Sequence, residues 1–251
     1  MTQQRVVLVT GASGHLGAAI ARVCAEGGYA IAVHYRSSAQ AAEDLVAEIT
    51  DTGGAAHAFA ADLASGSEAA HALIAAVIER FGRLDAVVNN SADQTPAAFG
   101  DLDDEHWQRM LQASLLSATR VTSAAIDVLG TDGAIVNVSS VEASVAFPNH
   151  AHYAAAKAAL ESFTRSLALD IAPRGMRANA IAPGLIERPG LAQDWPQGYE
   201  WWAATAPSGR PVTATQVAQA VAFLIGPQAA GVNGVVLPVD GGWSASARAP
   251  F

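Results

Sequence analysis

Short apolar runs alternate with longer stretches of three-to-four periodicity along the whole chain. The runs predict strands over Arg5–Thr10, Tyr29–Tyr35, Ala55–Ala61, Leu84–Asn89, Gly133–Ser139, Arg177–Ala182 and Val235–Val239. The periodic stretches predict helices near 16–26, 38–51, 67–81, 103–129, 152–172 and 214–225. Such alternation marks βαβ units around a parallel sheet. With about seven strands and no linker, repeat or break in composition, the expected class is α/β: a single doubly wound domain spanning 1–251.

Punctuation sets several boundaries. Ser65-x-x-Glu68 and Thr213-x-x-Gln216 have the form of capping boxes, and Asp103 is placed to accept from the first free amides of a helix. Pro173 and Gly175 close the fifth helix. The stretch 183–212 breaks the pattern, with Pro183, Pro189, Pro196, Pro207 and Pro211 among Trp195, Trp201 and Trp202. A long irregular segment in a compact domain is usually functional, so 185–212 is expected to be a substrate loop or lid.

Composition narrows the function. Hydrophobic residues make up 51% and charged residues 15%, which suits a packed core and excludes a disordered chain. Lys and Arg number 14 against 23 Asp and Glu, for a net charge of −9. Without a basic cluster no nucleic-acid partner is expected. The single cysteine, Cys24, cannot close an intrachain disulfide, and no Cys/His group has metal-site spacing. A cytoplasmic location and no metal are the expectations. Val6–Val9 is too short for a secretory signal and no run reaches the roughly 18 residues of a membrane span, so no membrane partner is expected.

The first strand runs into Thr10-Gly11-Ala12-Ser13-Gly14-His15-Leu16-Gly17, with a helix following. Glycines at a strand-to-helix turn let backbone amides approach a pyrophosphate closely. The spacing is Gly-x-x-Gly-x-x-Gly and not the commoner Gly-x-Gly-x-x-Gly. After the second strand comes His34-Tyr35-Arg36-Ser37-Ser38, with no carboxylate for a ribose 2′-hydroxyl. Arg36 is suited to pair with a 2′-phosphate and Ser37 or Ser38 to donate to it, which favours NADP over NAD.

Lys157 is the only lysine in the chain, and it follows Tyr153 by four residues. On a helix that spacing puts an ammonium and a phenol on one face, where the cation is expected to lower the phenol's pKa and ready it for proton exchange. Ser140 ends the fifth strand, where side chains face the ligand crevice of an open α/β sheet, and is expected to donate to a developing oxyanion.

These segments, together with Asp62-Leu63, Asn89-Asn90-Ser91-Ala92, Pro183-Gly184 and Val239-Asp240-Gly241-Gly242, stand in an order that resembles the short-chain dehydrogenase/reductase family over nearly the full length. The resemblance implies a Rossmann-like domain that transfers hydride between NADP(H) or NAD(H) and a small-molecule carbonyl or alcohol. It implies Tyr153 as acid or base, Ser140 as the substrate-orienting donor, and Lys157 as both tuner of Tyr153 and ligand of the nicotinamide ribose. Asp62 and Leu63 would meet the adenine, Asn89 and Ser91 the ribose side, and Pro183, Gly184 and Ile186 the nicotinamide. A homotetramer is expected by the same analogy.

Three positions depart from the family pattern. His15 stands where the family usually has its middle glycine; with His34-Tyr35-Arg36-Ser37 this is locally similar to pteridine reductases, although Ser140 replaces their usual aspartate. Ser114 occupies the place of the family's catalytic asparagine, whose backbone holds a proton-relay water, and a serine is expected to keep that relay. Arg188 stands where many relatives have a threonine touching the nicotinamide. Substrate contacts are expected from Gln94, Glu142, Phe147, His150, Trp195, Trp201 and Trp202, the aromatics among them suiting a flat or ring-shaped molecule.

The expected function is NADPH-dependent reduction of a carbonyl, in a ketone, quinone or pterin-like ring, with Tyr153 as general acid. Two alternatives stand beside it. One is an NAD(P)-dependent sugar or polyol dehydrogenase, because His152-Tyr153-Ala154-Ala155 and Tyr35-Arg36-Ser37 are also similar to glucose-dehydrogenase-type relatives. The other is a catalytically idle NADP-binding sensor.

Overall fold

Strands β1 (Val6–Val9), β2 (Ala30–Tyr35), β3 (Ala56–Ala60), β4 (Leu84–Asn89), β5 (Leu129–Val138), β6 (Arg177–Pro183) and β9 (Val236–Val239) form one parallel sheet in the order β3-β2-β1-β4-β5-β6-β9. The structure is a computed structural model and describes residues 4–246. Residues 1–3 of the expected lead-in and 247–251 of the expected domain span lie outside the described residues. The strand order reverses between β1 and β4, and a crevice opens there at the strands' carboxyl ends.

Each expected strand is present with its ends moved by a few residues. Val7, Leu8, Val9 and Val87 are fully buried because both sheet faces are covered. One apolar cluster packs α1 (His15–Glu26), α2 (Ala39–Asp51) and α9 (Ala214–Ile225) on one face. The other packs α3 (Ser67–Phe81), α5 (Ser117–Ala125) and α6 (Ala151–Ile171).

Three local expectations change. The helix expected over 103–129 is interrupted: α4 (Asp104–Leu111) passes through a π turn at Gln112–Leu116 into α5, which ends at Ala125. Ser65 does not cap α3; Gly66 precedes that helix without a side-chain cap, and Ser65 Oγ instead donates 2.6 Å to the Asp62 carbonyl. The stretch 183–212 is largely regular, with β7 (Ile186–Glu187), α7 (Leu191–Asp194), α8 (Pro196–Thr205) and β8 (Val212–Thr213). Its prolines begin α8 and flank turns rather than exclude structure. The Thr213–Gln216 box and the Asp103 cap are both formed.

Candidate active site

At the cofactor end, the turn after β1 is held by side chains from three strands. Thr10 Oγ1 accepts from the amides of Asn90 and Ser91 at 2.9 and 3.0 Å. Asn90 Nδ2 donates to the carbonyls of Thr10 and Gly11 at 2.9 and 3.2 Å. From β2, His34 Nδ1 accepts from the Gly11 amide at 3.0 Å and Nε2 donates to the Ala61 carbonyl at 3.0 Å. Only a neutral imidazole makes both bonds, and burial pushes the His34 pKa down, which keeps it neutral.

The loop opens α1 with Gly14 at its N-cap and no side chain closing the first-turn amides. A Cβ at Gly17 would collide with the Gly11 carbonyl, and Gly11 itself holds φ +64. Such a turn, with exposed amides and no room for side chains, fits a pyrophosphate. His15 does not fill the turn: its Nε2 lies 2.9 Å from the Glu187 carbonyl and ties the loop to β7.

At the substrate end, Ser140 Oγ accepts from the Glu142 amide at 3.2 Å across the 3₁₀ turn Val141–Ala143. Its proton remains available to a substrate oxygen or to Tyr153. Lys157 is fully sequestered on α6 and donates 2.7 Å to the Val138 carbonyl, with Nζ 5.6 Å from the Tyr153 ring centre. Desolvation brings its pKa down to about 8.

The expected lowering of the Tyr153 phenol does not occur. Burial outweighs every other influence and raises its pKa, Glu142 adds to the rise, and hydrogen bonds with Ser140 and Gln94 offset only part of it. A phenol 5% exposed loses more by giving up solvation than a neighbouring ammonium turned toward a backbone carbonyl returns.

Both ends line one crevice of about 1470 Å³. It gathers Gly11, Ser13, Gly14, His15, Leu16, Gly17, Arg36, Ser37, Asp62, Leu63 and Ser91 on the cofactor side. Around the reacting group come Gln94, Ser140, Glu142, Phe147, His150, Tyr153, Lys157, Pro183, Gly184, Ile186, Trp195 and Trp202.

Four expected site residues do not line it. Tyr35 turns from the crevice and packs on the apolar cluster, because alternation along β2 gives the crevice to His34 and Arg36. Asn89 is buried and donates to Thr122 Oγ1 at 3.1 Å and to Asn137 Oδ1 at 2.8 Å across the sheet; Asn90 and Ser91 line the crevice instead. Ser114 sits in the π turn and bonds the Asp93 backbone, accepting from its amide at 3.2 Å and donating to its carbonyl at 3.3 Å. Trp201 lies outside the crevice, 44% exposed, against Phe147, Trp202 and Trp243.

The sequence reading missed His34 and Asn90. Strand alternation was the available signal for His34.

A family model described as "Enoyl-(Acyl carrier protein) reductase" matches residues 11–244. The chain belongs to the short-chain dehydrogenase/reductase family. It is 36% identical over 249 residues to cis-4-hydroxycyclohexanecarboxylate dehydrogenase of Sinomonas cyclohexanicum, covering 96% of this chain and 97% of that one. It is 37% identical over 243 residues to 3beta-hydroxysteroid dehydrogenase 1 of Eggerthella lenta, covering 95% and 93%. The fold superposes on a short-chain dehydrogenase of Burkholderia cenocepacia J2315 in complex with NADP, with a TM-score of 0.90, 33% identity and coverage of 96% and 98%. Like other short-chain dehydrogenases/reductases it is an oxidoreductase with a Rossmann-like sheet and a nicotinamide-cofactor crevice. Among the described residues no helix is long and apolar enough to cross a membrane.

Proposed function

We propose that the protein is an NADPH-dependent reductase of ring ketones, with Tyr153 as general acid. The observation that carries this reading is the convergence of Ser140, Tyr153 and Lys157 on one wall of the crevice. The protonated phenol is the form that donates to a carbonyl oxygen. NADPH, when bound, supplies the hydride.

The chain's own groups do the rest. First-turn amides of α1 and the glycines of its loop hold the pyrophosphate, and Arg36 with Ser37 hold the 2′-phosphate. Lys157, Pro183, Gly184 and Ile186 hold the nicotinamide end. Ser140 donates to the substrate oxygen while Tyr153 delivers its proton there. Ser114 keeps the loop at Asp93 in place beneath the π turn, where altered backbone pairing suits a relay water.

Phe147 and Trp202 form an apolar floor for a ring, with Trp243 stacked behind Trp202 at 4.9 Å between ring centres. The names of the hydroxycyclohexanecarboxylate and hydroxysteroid relatives favour an alicyclic ring over a quinone or pterin. Residues 185–212 form the lid, tied to the core by the Ser208 amide on the Gly241 carbonyl and by Val212 in the apolar cluster. By analogy with the family, the protein is a tetramer in the cytoplasm.

Replacing Tyr153 by Phe tests the reading. The expected result is a loss of about 10² or more in kcat with NADPH and a cyclic ketone, while NADPH titration of tryptophan fluorescence is unchanged. Near-normal turnover would remove Tyr153 from the chemistry.

A further inference from the structure

Glu142 and His150 form a pair that the proton transfer from Tyr153 does not use. Glu142 lies in the turn directly after Ser140, and His150 is the N-cap of α6, three residues before Tyr153. His150 Nδ1 is 2.8 Å from Glu142 Oε2, and the imidazole stands edge to face against the Tyr153 ring at 5.8 Å. Both side chains line the crevice, at 16% and 27% exposure.

A carboxylate only accepts hydrogen bonds, so Nδ1 carries the proton in this contact. The pair then presents two groups to a ligand. The second carboxylate oxygen accepts, and Nε2 donates when the ring is charged or accepts when it is neutral. A hydroxyl satisfies both, donating to Glu142 and meeting Nε2 in either role. An ammonium would face the imidazolium and a carboxylate would face Glu142, each a like-charge contact in a partly desolvated site.

We infer that Glu142 and His150 are a specificity-determining subsite for a second hydroxyl of the substrate, on a carbon neighbouring the reacting carbonyl. This rests on the ketone-reductase reading. In the reduction, hydride adds to the carbonyl carbon and the Tyr153 proton to its oxygen, giving a diol. The subsite hydroxyl keeps its bonds and exchanges no atom, so the pair positions without reacting.

The test compares kcat/KM for NADPH oxidation with 2-hydroxycyclohexanone, 2-methoxycyclohexanone and cyclohexanone, in the wild type, Glu142→Gln and Glu142→Ala. Calorimetry compares binding of 1,2-cyclohexanediol and cyclohexanol to the NADP+-loaded protein. The hydroxyketone should exceed the other two by about tenfold or more, the diol should bind tighter than cyclohexanol by a similar factor, and both variants should bring these ratios near unity. Equal ratios in the wild type overturn the subsite and leave the ketone-reductase reading standing. So do ratios that persist in the variants while all rates fall together, the mark of a structural role. Turnover of none of the three ketones overturns that reading and the subsite with it.

Discussion

The two ends of the crevice are built by different means. At the cofactor end the working surface is backbone: glycines, uncapped amides, and a turn braced from behind by Thr10, Asn90 and His34. At the substrate end it is side chain: Ser140, Tyr153, Lys157, the Glu142–His150 pair and an aromatic floor. A pyrophosphate is the same in every nicotinamide cofactor, so a backbone cradle whose chief demand is missing side chains suffices. A substrate needs directional groups at chosen points, and these come from side chains whose chemistry is set by burial.

The largest expected break in this comparison is Gly17→Val. The added Cβ would meet the Gly11 carbonyl, Ala12 Cα and Asn90 Nδ2, so the loop must move. Binding of NADPH and NADH should weaken together, by about a hundredfold or more, in fluorescence titration of a protein with unchanged circular dichroism. Unaltered affinity would show that this turn is not the cradle.

Arg36→Ala sharpens the comparison from the charged side chain proposed to hold the 2′-phosphate. NADPH should weaken by about 1.5–3 kcal/mol and NADH should hardly change. An equal loss for both would make Arg36 a structural residue.

The smallest effect distinguishes the ends by pH. Burial lowers the His34 pKa, so its native bonds contribute stability above the ordinary histidine value and that contribution is lost as pH falls below it. The hydrogen bond with Glu142 raises the His150 pKa, so its contribution is present below the ordinary value and is lost as pH rises through the raised one. Urea unfolding across pH 5 to 8 should show the gap between wild type and Glu142→Gln shrinking as pH rises, by less than about 1 kcal/mol. The gap for His34→Gln should shrink as pH falls. A gap independent of pH in either series would exclude that histidine's titration as its cause.

How much was legible beforehand follows from how local each feature is. The strands were legible because a strand buried on both faces reads as an unbroken apolar run, as in Val6–Val9. Tyr153 and Lys157 share a face through helical spacing alone, and the order of Gly11, Ser140, Tyr153 and Gly184 carried the family resemblance. The π turn was not legible, because its extra residue leaves the apolar pattern of 103–125 almost intact. Asn89 and Asn90 are equivalent by composition, yet their neighbours separate them: Asn89 pairs with Asn137 across the sheet while Asn90 braces the phosphate loop.

Gly184 shows the same boundary between the local and the distant. Its place beside Pro183 is visible in the chain, but the reason for a glycine is not: a Cβ there would fall 2.5 Å from the Trp202 ring and 2.8 Å from Asp240 Cβ, residues brought from the lid and the turn after the last strand. By itself the sequence determined the elements, the family and the spacing of the reacting groups, since periodicity and i, i+4 geometry are short-range. Only the tertiary structure decided which way the Tyr153 phenol titrates, what His15 holds and which histidine stands beside which carboxylate. Those depend on solvent exclusion and on contacts between segments far apart in the chain.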